Sequence, residues 1–326
     1  MTGGAIAPPL LAWWDLAGRK DLPWQREPTP YRVWVSEIML QQTQVATVER
    51  YYDRFLDAFP DVVALADAEP DRVLHLWSGL GYYARARNLH RAARVVRDEC
   101  GGELPCEFEE LTALPGIGRS TAGAILALAH DRRYPILDGN ARRVLARVFG
   151  VEGWTGSTAN LKRLWQLADE CTPDERAAHY TQAIMDLGAT VCSRAARPAC
   201  GTCPLTSACR ACAAGRTGRI PGPRPKRARR QRTVVVVMLI RGDGAVLLER
   251  RPDAGVWGGL WCFPEAGHLD GVADWCRSRF GVSPGRIEVR PVVSHSFTHF
   301  DLDMTPVEAH VAGAPMRLMD GDHWLW

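Results

Sequence analysis

Two segments with helical patterning meet at residues 115–118, where Pro115 and two glycines, Gly116 and Gly118, predict a tight hairpin. Glycine allows positive φ and lets the backbone come close to another molecule. The helix that follows leaves unpaired N–H groups in its first turn, which suit a phosphate group. A tight turn between helices without any ligand is the alternative that these residues leave open. The hairpin thus predicts a helical region that can hold a phosphate backbone.

Helical patterning extends over residues 1–215. Thr29 is a predicted N-cap, Pro30 suits the first helical position, and apolar residues recur at helical spacing from Val33 onward. Further helices are predicted over residues 61–68, 70–79, 84–99, 108–114, 119–130, 141–149, 159–171 and 175–187.

The pattern changes after residues 216–232, a segment rich in proline and basic residues that predicts an exposed linker. One helix is predicted near residues 271–280. Strands are predicted over residues 233–240, 245–249, 286–293 and 302–310. We therefore expect an all-α domain at 1–215, a linker, and a small α/β domain at 233–326.

Charge is distributed unevenly along the chain. Residues 187–242 contain no Asp or Glu but twelve Arg or Lys residues. Such a block can bind nucleic acid phosphates through counterion release, and a solvated linker is the alternative for part of it. No apolar run approaches the roughly 18 residues of a membrane span, and the N-terminus lacks an export signal. We therefore expect a cytoplasmic protein with no membrane partner.

Ten cysteines in such a chain favour metal or redox use over disulfides. Cys192, Cys200, Cys203 and Cys209 cluster, and Cys212 follows closely. The last four of these five could bind zinc.

Several segments resemble a known family. Residues 114–122 resemble the helix-hairpin-helix of base-excision DNA glycosylases, and Asp138 falls where that superfamily keeps its catalytic aspartate. Within that superfamily, the chain resembles the MutY family, whose members remove adenine opposite 8-oxoguanine. This resemblance lies in residues 30–45, 74–88 and 136–140. The resemblance covers nearly the whole chain, including its second domain.

The resemblance implies a multi-domain fold. Its all-α helix-hairpin-helix glycosylase domain would combine a six-helix module at about residues 25–130 with a cluster module. The cluster module would comprise residues 1–24 and 131–215. A C-terminal α/β Nudix-like domain would follow the linker.

Two carboxylates carry the expected chemistry. Expelling adenine from deoxyribose requires a proton on the leaving base and stabilisation of the positive sugar, as in glycoside cleavage. Glu37, on a helix among apolar residues, is expected to be partly desolvated and to act as the general acid. Asp138 is expected to stabilise the oxocarbenium ion or to trap it covalently. A solvated glutamate and an aspartate that only caps a helix are the alternatives.

By resemblance, further residues contact the DNA or the flipped base. Gln42, Leu80 and Tyr82 are expected to wedge or fill the duplex near the lesion. Leu22 and Trp24 are expected to wall the adenine pocket, although core packing is an alternative for Leu22 and Leu80. The remaining expected DNA contacts are Thr43, Gly116, Gly118, Ser120 and Asn140.

The residue at position 120 distinguishes glycosylases that also cleave the DNA strand from those that only remove the base. Related bifunctional glycosylases carry a lysine there as Schiff-base nucleophile, whereas this chain has Ser120. The three lysines, Lys20, Lys162 and Lys226, lie far from this motif in sequence. We therefore expect a monofunctional enzyme that leaves an abasic site.

The resemblance also implies that Cys192, Cys200, Cys203 and Cys209 hold a [4Fe–4S] cluster. The family has six residues between the first two ligands, whereas seven separate Cys192 and Cys200 here. The later spacings of two and five residues match. We expect iron–sulfur rather than the zinc set, with the cluster holding a basic loop against DNA.

The second domain resembles the family's lesion-recognition domain at residues 255–264. The acidic Nudix box is absent after Gly267, so pyrophosphatase activity is not expected. Phe297, Thr298 and His299 occupy the place of the family's Phe-Ser-His, which contacts 8-oxoguanine. A strand-end turn with a surface histidine is the alternative.

The end of the chain departs from the family pattern. It stops at residues 324–326, where family members continue through another helix. We expect an incomplete second domain with two exposed tryptophans, and a weaker effect on base excision than on lesion discrimination.

The sequence thus predicts a monomeric adenine DNA glycosylase that acts on double-stranded DNA with A:8-oxoguanine or A:G mispairs. A bifunctional endonuclease III-like lyase is one rival, opposed by Ser120 and by the second domain. A non-catalytic DNA-lesion binder is the other, opposed by Glu37 and Asp138. Association with the nucleoid and binding of repair or replication proteins to the linker are further expectations.

Overall fold

The chain divides into two compact units, Met1–Pro225 and Lys226–Trp326. The computed structural model describes residues 5–195, 197–225, 228–252, 255–297, 300–312 and 323–326. Within these residues, no helix combines the length and the apolar character needed to cross a membrane.

The first unit is helical, as the sequence predicts. Its helices are α1 Ala7–Ala17, α2 Pro30–Leu40, α3 Val45–Ala58, α4 Val62–Asp67, α5 Pro70–Trp77, α6 Ala84–Glu99, α7 Phe108–Ala113, α8 Arg119–His130, α9 Gly139–Phe149, α10 Thr158–Cys171, α11 Ala177–Asp186 and α12 Arg210–Ala213. Short 3₁₀ turns at Pro23–Gln25, Cys200–Thr202 and Thr206–Ala208 and a π-helical turn at Leu187–Val191 complete it.

Side-chain caps define where several of these helices begin. Thr29 Oγ1 accepts a hydrogen bond from the Arg32 N–H at 3.3 Å, which confirms the predicted start of α2. Asp61 and Ser157 cap α4 and α10 in the same way. Each cap satisfies a backbone N–H group that the helix itself leaves unpaired.

Two apolar cores hold the helical unit together. The first lies among α2, α3, α5 and α6 and includes the fully buried Trp34, Phe55 and Trp77. The second joins α1 to α9–α11 through residues such as Leu10 and Leu145. Helix α8 packs against both α2 and α11, so it lies where the two cores meet. The hairpin before α8 therefore stands at the junction of the two halves of the unit.

The predicted linker is shorter in the structure than in the sequence analysis. Ile220 is 4% exposed, and its carbonyl accepts a hydrogen bond from Arg147 Nε at 2.9 Å. The Gly222 N–H donates to the Gly153 carbonyl at 2.8 Å, and the first strand begins at Arg230. Residues 216–222 thus pack on the helical unit because Ile220 buries its apolar side chain there.

The second unit contains a mixed five-stranded sheet and a three-stranded sheet. The strands are β1 Arg230–Arg241, β2 Leu248–Arg250, β3 Trp261–Cys262, β4 Glu265–Ala266, β5 Arg286–Val289, β6 Val293–Ser296, β7 Phe300–Val311 and β8 Trp324–Leu325. The larger sheet has the order β4-β1-β7-β5, with β6 also paired to β7, and the smaller has the order β3-β2-β8. Strands β1 and β7 run parallel over their whole length, and helix α13 (Val272–Phe280) packs on this sheet.

The single strand predicted over residues 286–293 is two strands in the structure. β5 and β6 pair with successive parts of β7 and are separated by residues 290–292. The Arg290 N–H donates to the Pro306 carbonyl at 2.8 Å. Pro291 cannot donate to the ladder, because proline has no backbone N–H group.

The terminal tryptophans are not exposed as predicted. Trp324 and Trp326 are half-buried against the core of the second unit. The Trp324 ring meets the Phe280 ring edge-to-face at 5.1 Å. Pairing of β8 with β2 brings them there, so local composition alone could not reveal their burial.

Candidate active site

Glu37 projects from α2, whose other side chains are largely buried. It is itself half-buried. Burial, and to a smaller extent the nearby charge of Asp138, raise the pKa of the Glu37 carboxyl to about 8. The carboxyl therefore keeps its proton at neutral pH, which is the state that a general acid needs.

Asp138 is the N-cap of α9, as the sequence predicts. Its Oδ1 accepts a hydrogen bond from the Ala141 N–H at 2.7 Å. This bond fixes the carboxylate at the positive end of the helix. Because Asp138 is close enough to influence Glu37, two carboxyl groups from distant parts of the sequence form one site.

Ser120 supports the segment that carries Asp138. Its Oγ accepts a hydrogen bond from the Leu137 N–H at 3.0 Å. Lys20 is engaged elsewhere, since its Nζ donates to the Trp14 carbonyl at 2.8 Å. Lys162 lies on α10, and Lys226 is outside the described residues. The residue at position 120 thus positions the backbone beside the carboxylate.

The two hairpin glycines serve different purposes. Gly116 has a φ of +81°, and a Cβ there would lie 2.8 Å from the Asn88 Cβ. Gly118 has a φ of −92°, so only Gly116 uses the positive φ that glycine allows. A Cβ at Gly118 would meet no atom within 4 Å, so this residue leaves space beside the first turn of α8. Gly116 shapes the turn, and Gly118 keeps the helix N-terminus accessible.

The residues expected to wedge the duplex differ in exposure. Gln42 is exposed at a φ of 60°, and Tyr82 is 51% exposed at a φ of 49°. Leu80, in contrast, is 6% exposed, so its side chain packs inside the protein rather than facing a DNA partner. Gly79 and Gly81 both have positive φ and turn the chain so that Leu80 points inward and Tyr82 outward.

Leu22 and Trp24 are also buried, beside the helix that bears Glu37. They are 5% and 6% exposed, and their 3₁₀ turn packs against α2 and α3. The Trp24 ring meets the Tyr52 ring edge-to-face at 5.6 Å. The structure therefore places them against α2 and α3 and gives them core contacts.

The sequence analysis missed two arginines, the half-buried Arg85 and the buried Arg143. Arg85 donates to both loops that carry Gln42 and Tyr82. Arg143 donates to Asn140 Oδ1 at 2.8 Å and to the Cys192 carbonyl at 2.8 Å, so it ties Asn140 and the start of α9 to the cysteine segment. Arginines on helices are mostly solvated, so nothing in the local sequence distinguishes these two.

The clustered cysteines line one largely apolar cavity. Its wall includes Cys192, Cys200, Cys203, Cys209 and Cys212. Arg147 Nη1 lies 3.3 Å from the Cys192 Sγ, and the Cys209 thiol donates to the Arg147 carbonyl at 3.4 Å. In the described part of the chain, no group of three or more His, Cys, Asp or Glu side chains is arranged to hold a single metal ion.

Both candidate ligand sets line this cavity, so it offers sulfur ligands either to a multi-iron group or to one zinc ion. A single zinc ion would draw four sulfurs to about 2.3 Å from one centre. A [4Fe–4S] cluster instead needs thiolates spread around a larger group, which a shared cavity provides.

The second unit contains an aromatic cluster at the predicted lesion-contact segment. Phe297 stacks on Phe300 at 4.8 Å and meets Trp257 edge-to-face at 5.6 Å. The two sequence segments that resemble a lesion-recognition domain thus converge. Thr298 and His299 lie outside the described residues.

Comparisons with protein families agree with the two units. A family described as "HhH-GPD superfamily base excision DNA repair protein" matches residues 35–170. A NUDIX domain family matches residues 235–325.

Individual relatives match most of the chain. An adenine DNA glycosylase of Buchnera aphidicola subsp. Acyrthosiphon pisum is 37% identical, over 91% of this chain and 84% of the relative. An adenine DNA glycosylase of Mus musculus is 36% identical, over 97% of this chain and 73% of the relative.

Solved structures resemble the helical unit. A thermostable thymine-DNA glycosylase aligns with a TM-score of 0.59 at 26% identity, covering 65% of this chain and 97% of that one. An endonuclease III in a non-covalent DNA complex aligns with a TM-score of 0.56 at 21% identity, covering 66% and 98%. The latter likeness concerns the fold alone.

Proposed function

The chain belongs to the adenine DNA glycosylases of base excision repair, and we propose that it removes adenine mispaired with 8-oxoguanine or guanine and stops at an abasic site. The enzyme hydrolyses the N-glycosidic bond of a flipped adenine in double-stranded DNA. The predicted helix-hairpin-helix fold with a Nudix-like second domain is confirmed by the family matches.

The observation that carries this proposal is the pair of Glu37 and Asp138. Glu37 has a pKa raised to about 8 by burial and by the charge of Asp138, so its carboxyl holds a proton that it can donate at neutral pH. In glycoside cleavage, two carboxyl groups share the work. One is protonated and acts as the general acid, and the other is ionised and stabilises the positive sugar.

In the proposed reaction, Glu37 protonates the adenine ring as the bond to the deoxyribose C1′ breaks. The electron pair of that bond leaves with the base, and positive charge develops on the sugar. Asp138 stabilises that charge, either through space or through a transient bond to C1′. Water then supplies the hydroxyl group at C1′, and its released proton restores Glu37.

The engagement of Ser120 supports a reaction without strand cleavage. A Schiff base requires an amine at the sugar, and Ser120 has a hydroxyl group instead. That hydroxyl accepts a hydrogen bond from the Leu137 backbone N–H. The hairpin with Gly116 and Gly118 would hold the DNA backbone, and Thr43 and Asn140 would lie near it. Gln42 and Tyr82 would enter the duplex, with Leu80 anchoring the Tyr82 loop.

We also propose a [4Fe–4S] cluster held by Cys192, Cys200, Cys203 and Cys209. Its contribution would be to fold a basic segment for DNA contact. The Arg143 contact to both Asn140 and the cysteine segment supports a mechanical link from that segment to α9.

Recognition of 8-oxoguanine is proposed for the second unit, at Phe297, Thr298 and His299. The contacts of Phe297 with Trp257 and Phe300 support this proposal, because they hold Phe297 in place. We further propose a monomer acting at the nucleoid, with the basic segment before β1 available to repair or replication proteins. Light scattering of the purified chain tests the monomer.

A glycosylase assay tests the central proposal. Duplexes with A:8-oxoguanine, A:G, A:T or thymine glycol are incubated with the parent or Glu37→Gln, with and without alkali. We expect adenine release from the first two duplexes, nicking only after alkali, and at least about a 100-fold loss in Glu37→Gln. Equal release by Glu37→Gln would exclude Glu37 as the acid, and no release by the parent would leave a lesion binder. Nicking of thymine glycol DNA without alkali would identify a lyase.

A further inference from the structure

Two loops far apart in sequence present the exposed side chains proposed to enter DNA. We call residues 41–44 the first loop and residues 78–83 the second loop. Each carries one non-glycine residue at positive φ, Gln42 in the first and Tyr82 in the second. This backbone region is unfavourable for such residues and persists only where surrounding contacts hold it.

One side chain, Arg85, supplies contacts to both loops. Its Nη1 donates to the carbonyl groups of Ile38, Met39 and Gln41 at 2.9, 2.8 and 2.5 Å. Its Nη2 donates to Thr43 Oγ1, the Leu80 carbonyl and the Gly81 carbonyl at 3.0, 3.1 and 3.1 Å. The guanidinium group thus joins the end of α2, the first loop and the second loop at one point.

The chemistry of these acceptors suits a guanidinium group and no other side chain. The last carbonyl groups of α2 have no partner within the helix, and a cation at this end is favourable. The guanidinium also lies 5.3 Å from the Trp77 ring and 5.7 Å from the Tyr82 ring. A lysine has one nitrogen and cannot reach two loops with a planar fork.

We propose that Arg85 is a positioning residue for base extrusion, which holds Gln42 and Tyr82 at a fixed separation so that both enter the duplex together. This inference rests on the proposed adenine glycosylase function. Arg85 does not touch the reacting atoms; it acts through the two loops. The hairpin at residues 115–118 holds the DNA backbone independently, so Arg85 affects extrusion more than general DNA affinity.

Arg85→Lys in the full chain tests the proposal, with Arg91→Lys, an exposed arginine on the same helix, as the matched control. Single-turnover adenine release is measured from an A:8-oxoguanine duplex and from a duplex with adenine opposite an abasic site. Unpaired adenine leaves the stack at lower cost. We expect Arg85→Lys to be at least tenfold slower than the parent on the first duplex and within about threefold on the second.

Extrusion is also measured directly. The fluorescence of 2-aminopurine opposite 8-oxoguanine is recorded in a Glu37→Gln background, so that the base stays attached. We expect Arg85→Lys to lower the fluorescence increase at saturating protein, with undamaged-duplex affinity within twofold of Arg91→Lys. Thr43→Val, which removes one of the six acceptors, should change the same two readouts in the same direction and less strongly.

The outcomes separate this inference from the proposed function. An equal loss on both duplexes, or an unchanged fluorescence increase, would overturn the positioning role of Arg85. If Arg85→Lys fails to fold, Thr43→Val decides alone, and parent-like extrusion in that variant would overturn the proposal. If the parent itself releases no adenine while Arg85→Lys still lowers the fluorescence increase, the glycosylase function fails and the positioning role stands.

Discussion

Replacing Glu37 by glutamine should stabilise the fold while abolishing the chemistry. Glutamine keeps the shape of the protonated carboxyl but cannot ionise. The parent carries an ionisable group whose pKa is raised from 4.5 to about 8 by burial and by Asp138. The raised pKa that lets Glu37 donate a proton therefore lowers the free energy of unfolding at the pH where the enzyme works.

The sign and size of the effect follow from proton linkage. Below pH 4.5 the carboxyl is protonated in both the folded and the unfolded chain, so it contributes nothing. Between pH 4.5 and 8 the unfolded chain releases the proton and the folded chain keeps it. Each pH unit then lowers the free energy of unfolding by about 1.4 kcal/mol, up to about 5 kcal/mol over the interval. Because Glu37 is half-buried and partly screened by water, we expect about 3 kcal/mol at pH 8.

Thermal unfolding of the parent and Glu37→Gln at several pH values measures this difference. For a domain of this size, about 3 kcal/mol corresponds to roughly 6–12 °C in Tm. The difference in Tm between Glu37→Gln and the parent should be near zero at pH 4.5 and should increase up to pH 8. Glu99→Gln, at an exposed carboxyl that ends α6, is the control and should show a small gap at every pH. A Glu37→Gln gap that does not grow with pH would refute the burial argument.

Three further predictions follow from the same site. Single-turnover adenine release should be flat below about pH 8 and fall about tenfold per pH unit above it, since Glu37 must hold its proton; a rate that rises through this range would exclude it as the acid. Gly116→Ala should lower the free energy of unfolding by about 2 kcal/mol because of its φ of +81° and the 2.8 Å contact, whereas Gly118→Ala should cost less than half of that and mainly weaken DNA binding. Denaturant unfolding measures the stability of the two glycine variants, and titration with duplex DNA measures their DNA binding. Iron analysis after anaerobic purification should show cluster loss in Cys192→Ser and retention in Cys212→Ser; the reverse result, with zinc, would identify the alternative ligand set.

Local sequence chemistry was sufficient for much of the helical unit. The cap at Thr29, the proline that follows it and the apolar spacing of α2 are all encoded within a few residues. The N-cap role of Asp138 was likewise visible from its place before a helix. In the second unit, the strand break at Pro291 shows that a missing backbone donor can divide one apolar run into two strands.

What the chain sequence determined is the inventory: two carboxyl groups, a glycine hairpin, a serine at position 120 and a cysteine cluster. The number of residues between these groups in the sequence does not tell how far apart they lie in the folded protein. The tertiary structure decided that Glu37 and Asp138 share one site, that Leu80 is buried while Tyr82 is exposed, and that Arg85 joins two loops. The reason is physical: a pKa depends on the burial of the group and on the charges around it, and both arise only when folding brings Asp138 near Glu37.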